Sequence, residues 1–237
     1  MFAVLANTNA GVSLELDEGT RLGGGYPPIH VLPGAMAFAE DNHISGKQFS
    51  EALSAGYEIL SCIAGSMILR PNLHSHGTWG TIETSIALGK MLGFDLDQTK
   101  ALINLAASMS PPNTWTPSFD GATIRNGYPC RSGMQGILAV DRLQCGFSSL
   151  RGGPLDVYGT ILAQSFDPDM SVDELGSGPM RIEQNYFKYY PCCLFNHPTF
   201  NAVEQLMGRW QFAVQDIEAI KVTTVNFGSE RMAGEHP

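Results

Sequence analysis

Four stretches of the chain concentrate residues able to move protons or hold anions. The first, LDEGTRLGGGYPPIH, brackets three consecutive glycines with Asp17, Arg21, Tyr26 and His30. Binding groups favour such loops, where a folded scaffold presents side chains on exposed backbone. The second, RPNLHSHGTWG, sets His74 and His76 two residues apart just before a helix start. Histidine titrates near neutrality, so either residue suits acid–base work or carboxylate binding; with further ligands the pair would suit a metal. The third, FDGATIRNGYPCRSG, carries Asp120, Arg125, Tyr128, Cys130 and Arg131. Here Arg125 has the planar fork that grips a carboxylate with two N–H donors. The fourth, NYFKYYPCCLFNHP, is the densest, with Lys188, Tyr189, Tyr190, Cys192, Cys193 and His197.

Each stretch also has a plainer reading. A phosphate cradle would need a preceding strand, a helix behind it and free amides. Pro27 and Pro28 remove two N–H donors where the cradle would want them, so a flexible turn ahead of a helix is the competing reading of the glycines. His76 reads equally as a surface or capping histidine, and Arg125 as a solvated charge. Cys192 and Cys193 are adjacent, a poor joint arrangement for one tetrahedral ion, and no second cysteine pair completes a zinc ribbon. A nucleophilic cysteine with His197 lacks an oxyanion signature, and buried cysteines acting as small apolar residues are common.

Helices must position these groups. The 3.6-residue period predicts one in SGKQFSEALSAGYEILSCIAG, where Phe49, Leu53, Tyr57 and Leu60 recur on one face. Others are predicted in LPGAMAFAE, in GTWGTIETSIALGKMLGFD and in LDQTKALINLAASM, the last capped by Asp95 or Asp97 and ended by Pro111 and Pro112. RSGMQGILAVDRLQCG and HPTFNAVEQLMGRW complete the set, with Pro198 in the first turn where a missing N–H costs nothing. The small residues of the GTWG helix suggest close contact with a neighbour. The tail differs: Ile220, Val222 and Thr224 alternate with Lys221, Thr223 and Val225, the two-residue period of a strand. No partner strand follows it, and a lone strand leaves its backbone groups unsatisfied, so the sequence reads as a piece of something longer.

The bulk numbers narrow the partners. A net charge of -9, with only 14 Lys and Arg and no basic run, argues against nucleic acid. It leaves room for a small anion wherever a few cations converge. No run approaches the roughly 18 apolar residues of a membrane helix. The start MFAVLANTNAGVS lacks the basic and apolar segments of a secretory signal. Five cysteines, an odd number, fit reduced thiols in the cytoplasm, or in the mitochondrial matrix of a eukaryote.

In this order, the stretches resemble the MmgE/PrpD family, which includes 2-methylcitrate dehydratases and cis-aconitate decarboxylases. The matching pieces are LDEGTRLGGGYPPIHVLPGAMAFAE, SGKQFSEALSAGYEI, LHSHGTWGTIETSIALGKMLG, DGATIRNGYPCRSGMQGILAVD, KYYPCCLFNHPTFNAVEQL and DIEAIKVTT. Together they span nearly the whole chain. The resemblance implies a mainly α fold, a large all-helical domain followed by the start of a smaller α+β domain. Residues 1–180 would form the first, incomplete at its N-terminus, and 181–237 the beginning of the second, incomplete at its C-terminus.

It also implies a set of site residues. Asp17 falls on the family's active-site aspartate, and His74 on a histidine before GTWG. Tyr26 stands where the family has a first histidine, with His30 four residues on. Arg125 stands for a lysine, Lys188 matches the lysine of a K-x-x-P motif, and Cys193 replaces a histidine of the decarboxylase branch. On this basis Asp17, Tyr26, His30 and His74 are expected to be catalytic, and Arg125, Lys188 and Cys193 to bind substrate. The implied reaction is dehydration or decarboxylation of a small polycarboxylate such as 2-methylcitrate, in a homodimer, with no metal or other cofactor. The departures at Tyr26 and Cys193 keep open a truncated or non-catalytic family member. The paired histidines keep open a metal-dependent hydrolase built on His74 and His76.

Overall fold

A computed structural model describes residues 1–173, 175–176 and 178–224. In chain order the helices are α1 (Phe2–Ser13), α2 (Pro27–Asp41), α3 (Gly46–Gly65), α4 (Gly80–Met91), α5 (Leu96–Ser108), a single turn α6 (Thr116–Phe119), α7 (Tyr128–Gln144), a second single turn α8 (Met170–Asp173) and α9 (His197–Arg209). Two short strands, β1 (Met67–Leu69) and β2 (Ala163–Phe166), pair antiparallel, with Met67 opposite Phe166 and Ile68 opposite Ser165. The protein is mainly α, as the sequence implied.

The fold is built around α4, in which every residue except Lys90 is buried. It packs against α2, α3, α5 and α7. Its composition permits this: Gly80, Thr81, Thr84, Ser85, Ala87 and Gly89 are small enough for four helices to approach at once. One close approach is at Gly56 of α3, where a Cβ would lie 2.7 Å from the Glu83 carbonyl oxygen. Larger side chains fill the space around it, among them Leu60, Ile82, Leu88, Leu102 and Tyr158, all wholly buried.

Local signals set the helix ends. Ser45 and Gln48 form a reciprocal capping box at the start of α3, and Asp95 and Gln98 form another at α5. Each such cap contributes about 1 kcal/mol. The α5 cap is thus Asp95, and the helix stops at Ser108, ahead of Pro111 and Pro112.

Three sequence expectations need correction. The helix expected over LPGAMAFAE begins five residues earlier, because Pro27 and Pro28 occupy its first two positions, where no N–H is required. His30 therefore sits in the first turn of a helix and not in the loop. The strand expected at Ile217–Val225 is not formed: residues 217–224 have no regular structure and are exposed, and Val225 lies outside the described residues. Alternation alone does not make a strand when no ladder partner satisfies its backbone. The helix expected from the GTWG segment starts only at Gly80, leaving residues 70–79 as irregular backbone that carries both histidines. The sequence reading also passed over α1, the β1–β2 pair and a π-helical stretch at Leu155–Leu162. Among the described residues no helix is long and apolar enough to cross a membrane.

Candidate active site

The glycine loop is a wall of the site. Thr20 N–H donates to the Gly25 carbonyl at 3.2 Å and closes the turn. Gly24 and Gly25 have φ of 66° and 106°, where a side chain would be strained, and a Cβ on Gly25 would press on the Trp79 ring at 3.1 Å. On the near side of the turn, Gly19 and Tyr186 exchange two backbone hydrogen bonds of 3.0 Å. That exchange carries Lys188, two residues on, back to Asp17.

Lys188 Nζ lies 3.2 Å from Asp17 Oδ1 and 3.4 Å from Glu15 Oε2, and the side chains of Lys188 and Asp17 are wholly shielded from solvent. Glu15 also pairs with Arg125 Nη1, which arrives from the short turn at Thr123–Gly127. One carboxylate thus bridges the two cations expected to hold substrate. The Lys188 ammonium also sits 4.7 Å from the centroid of the Tyr26 ring, a cation–π contact.

The histidines form the floor. His76 is wholly buried, its ring centroid 4.8 Å from Tyr26, 4.8 Å from His74 and 5.6 Å from His30. Its Nε2 lies 3.7 Å from Asp17 Oδ2, and neither of its ring nitrogens has a hydrogen-bond partner. His74 is stacked on Trp115 at 3.8 Å, and its Nδ1 accepts from the His76 backbone N–H at 2.9 Å. The reading of His76 as a surface or capping residue is therefore overturned. It is the most central of the site's imidazoles.

His30 takes a different role from the one expected. Its Nε2 accepts from Gly77 N–H at 2.9 Å, which fixes the proton on Nδ1, and Nδ1 donates to the Tyr26 carbonyl at 2.8 Å. Both ring nitrogens are committed to backbone, so this ring ties α2 to the His76 segment.

Burial dominates the electrostatics. Asp17 is pushed above the usual carboxylate range by desolvation; Lys188 opposes this and Glu15 adds to it. His76 is held well below the ordinary imidazole value by burial, then by the charges on Arg125, His74, His30 and Lys188. His30 falls to about 4, again through burial. The Tyr26 phenol is raised by burial, then by Tyr186, Asp17 and Cys193, and stays neutral. Tyr186 is pushed up to about 12. The arrangement holds a neutral imidazole against a carboxyl group, with fixed cations alongside, in buried surroundings. Such a group can accept a proton from a carbon acid while the cations hold the charge that develops.

The family model for the MmgE/PrpD N-terminal domain matches residues 1–164. The chain belongs to the MmgE/PrpD family. Among its relatives, the cis-aconitate decarboxylase of Aspergillus terreus is 25% identical over 206 residues, covering 77% of this chain and 41% of that protein. The cis-aconitate decarboxylase-like protein oryM of Aspergillus oryzae is 24% identical over 224 residues, covering 84% and 46% respectively. The chain spans less than half the length of these curated relatives.

As a member of the MmgE/PrpD family, the protein brings Asp17, Tyr26, His74, Arg125 and Lys188 into one cluster, with His30 behind it; Cys193 is half-buried just before the turn at Leu194–Asn196. His76, which the sequence offers only as the second of a histidine pair, joins this cluster, and so does Glu15, which nothing in the sequence separates from other loop acids. Among the described residues no three His, Cys, Asp or Glu side chains converge as a metal-binding group. His197, proposed as a partner for a cysteine, instead packs its ring edge-on to Tyr190 at 5.1 Å.

Proposed function

We propose that this chain carries the helical part of a lyase site that removes carbon dioxide or water from a small polycarboxylate without a cofactor. The observation that carries the reading is the buried chain Lys188–Asp17–His76, with Arg125 joined to it through Glu15. Deprotonating carbon beside a carboxylate, or losing a carboxylate, leaves negative charge spread over the remaining acid groups. Lys188 and Arg125 would hold that charge, and His76, kept neutral by burial, would accept or return the proton with Asp17 orienting it. Tyr26, a phenol that stays protonated, would act only as a donor. In this reading residues 1–180 are the large helical domain and 181–237 open a second one.

The names of the two relatives make cis-aconitate the first acid to try, with 2-methylcitrate and citrate as the dehydration arms. Turnover would be followed for this chain, for a longer chain that contains it, and for Lys188→Met in both. Turnover of one acid, reduced at least 100-fold by Lys188→Met, is the expected result. A folded longer chain that turns over none of the three would sink the lyase reading in favour of a non-catalytic family member.

A further inference from the structure

A second cationic cavity lies beside the first site without sharing its catalytic groups. It is open, encloses about 750 Å³, and is lined by Arg70, Asn72, Asn113, Thr114, Arg131 and Gln164 among others. No aspartate or glutamate lines it, although the chain carries a net charge of -9. Asp17, His76, Arg125 and Lys188 are all absent from its wall.

Both guanidinium groups are anchored yet retain free donors. Arg70 gives Nε–H to the Ile161 carbonyl at 2.7 Å and Nη2–H to the Thr160 carbonyl at 3.3 Å. Arg131, in the first turn of α7, gives Nη1–H to Asn113 Oδ1 at 2.9 Å. Neither forms an ion pair among the described residues. An arginine held by neutral acceptors keeps its full charge, and its remaining N–H groups present a fork suited to a carboxylate. Two such forks on one cavity, with an amide and a hydroxyl between them, suit an organic acid with more than one carboxylate better than a single compact anion.

The cavity is also wired to the histidines. Asn113 accepts from Arg131 and donates through Nδ2 to the His76 carbonyl at 3.1 Å, while its own carbonyl accepts from His74 N–H at 2.9 Å. Tyr128, another wall residue, lies edge-on to the His74 ring with centroids 5.8 Å apart. A ligand that draws Arg131 toward itself pulls on Asn113, whose side chain reaches the His76 carbonyl and whose backbone carbonyl holds the His74 N–H.

We propose that this cavity is a second binding site, for a small di- or tricarboxylate, and that its occupancy is transmitted to His74 and His76 through Arg131 and Asn113. The inference stands whether or not the first site is a lyase.

The test is calorimetric titration with citrate, and with inorganic phosphate as the compact-anion arm, on the chain and four variants. Arg70→Gln and Arg131→Gln should each weaken one citrate-binding event at least tenfold. Lys188→Met and Arg125→Gln, which alter the first site at a buried and a more accessible position, should leave that event in place. Circular dichroism checks that each variant is folded. In the Arg125→Gln background the imidazole carbon-proton signals of His74 and His76 should shift on adding citrate, and adding Arg131→Gln should abolish the shift. Citrate binding that survives both cavity substitutions, or that is lost with Arg125→Gln alone, would overturn the second site. Phosphate binding as tightly as citrate would overturn the carboxylate assignment, and unmoved histidine signals would overturn the coupling.

Discussion

His76 Nε2 faces Asp17 Oδ2 across 3.7 Å, with neither side chain open to solvent. The gap is a little too wide for a hydrogen bond, and the Oδ2 atom has no other partner. A shift of roughly half an ångström would close it, as catalytic contacts often do when substrate arrives. The pair is therefore poised as an imidazole base with a carboxyl group to orient it. His76→Asn, which keeps a polar side chain of similar breadth, should lower kcat about 100-fold or more, the usual range for a lost acid–base group. Its KM should change little and its Tm by a few degrees at most. Steady-state kinetics beside thermal melts would check this; an unchanged kcat would remove His76 from the chemistry.

His30 should make the fold sensitive to acid. Its folded value near 4 lies below the 6.5 of an unfolded histidine. Between those values the unfolded chain binds the extra proton and the folded one does not. Stability is thus complete above about pH 6.5, falls as the pH drops toward 4, and changes no further from this group below that. The span corresponds to about 3 kcal/mol. Urea midpoints measured from pH 7 to pH 4 should fall more steeply for the native chain than for His30→Gln. Parallel curves would show that this ring does not set the acid response.

Glu83 should act with the opposite slope. It is wholly buried on α4, neither carboxylate oxygen has a hydrogen-bond partner, and burial, then Glu18, raises its affinity for a proton. The folded state keeps a proton that the unfolded state releases above about pH 4.5, so this group lowers stability as the pH rises. Glu83→Gln should melt near the native temperature at pH 4. At pH 8 it should be the more stable protein, the gap opening as the pH rises above about 4.5, because Gln has no proton to keep. A constant difference across that range would count against a buried proton at this position.

The sequence exposed some of this site and hid the rest for physical reasons. Asp17, Lys188 and Arg125 stood out because their types sit in loops where charge suits a ligand, and because those loops match a family pattern. The prolines after the glycines count against a phosphate cradle because they remove two N–H donors; they are also the opening residues of α2, which the apolar period alone does not reveal. His76 stands out in the sequence only as the second of a histidine pair, and there it reads equally as a surface or capping residue. Its burial is set by Tyr26, His30 and His74, residues that only the tertiary fold brings around it. The helices were legible wherever caps and apolar period agreed, as at Ser45 and Asp95. The tail misled for the converse reason: its alternation was clear, but pairing is a property of two segments and not of one.

Glu15 has a backbone φ of 52°, a left-handed conformation seldom adopted outside glycine, and it spans Arg125 and Lys188 from there. It is in effect a carboxylate ligand already tethered to the protein. A tethered group competes at an effective concentration far above that of a metabolite free in solution, of millimolar order or more. An incoming acid with one carboxylate offers the two cations only what Glu15 already gives them. An acid with two or three can displace Glu15 and still have a group left over for other donors. Discrimination against simple monocarboxylates would then reside in a residue that touches no substrate at all.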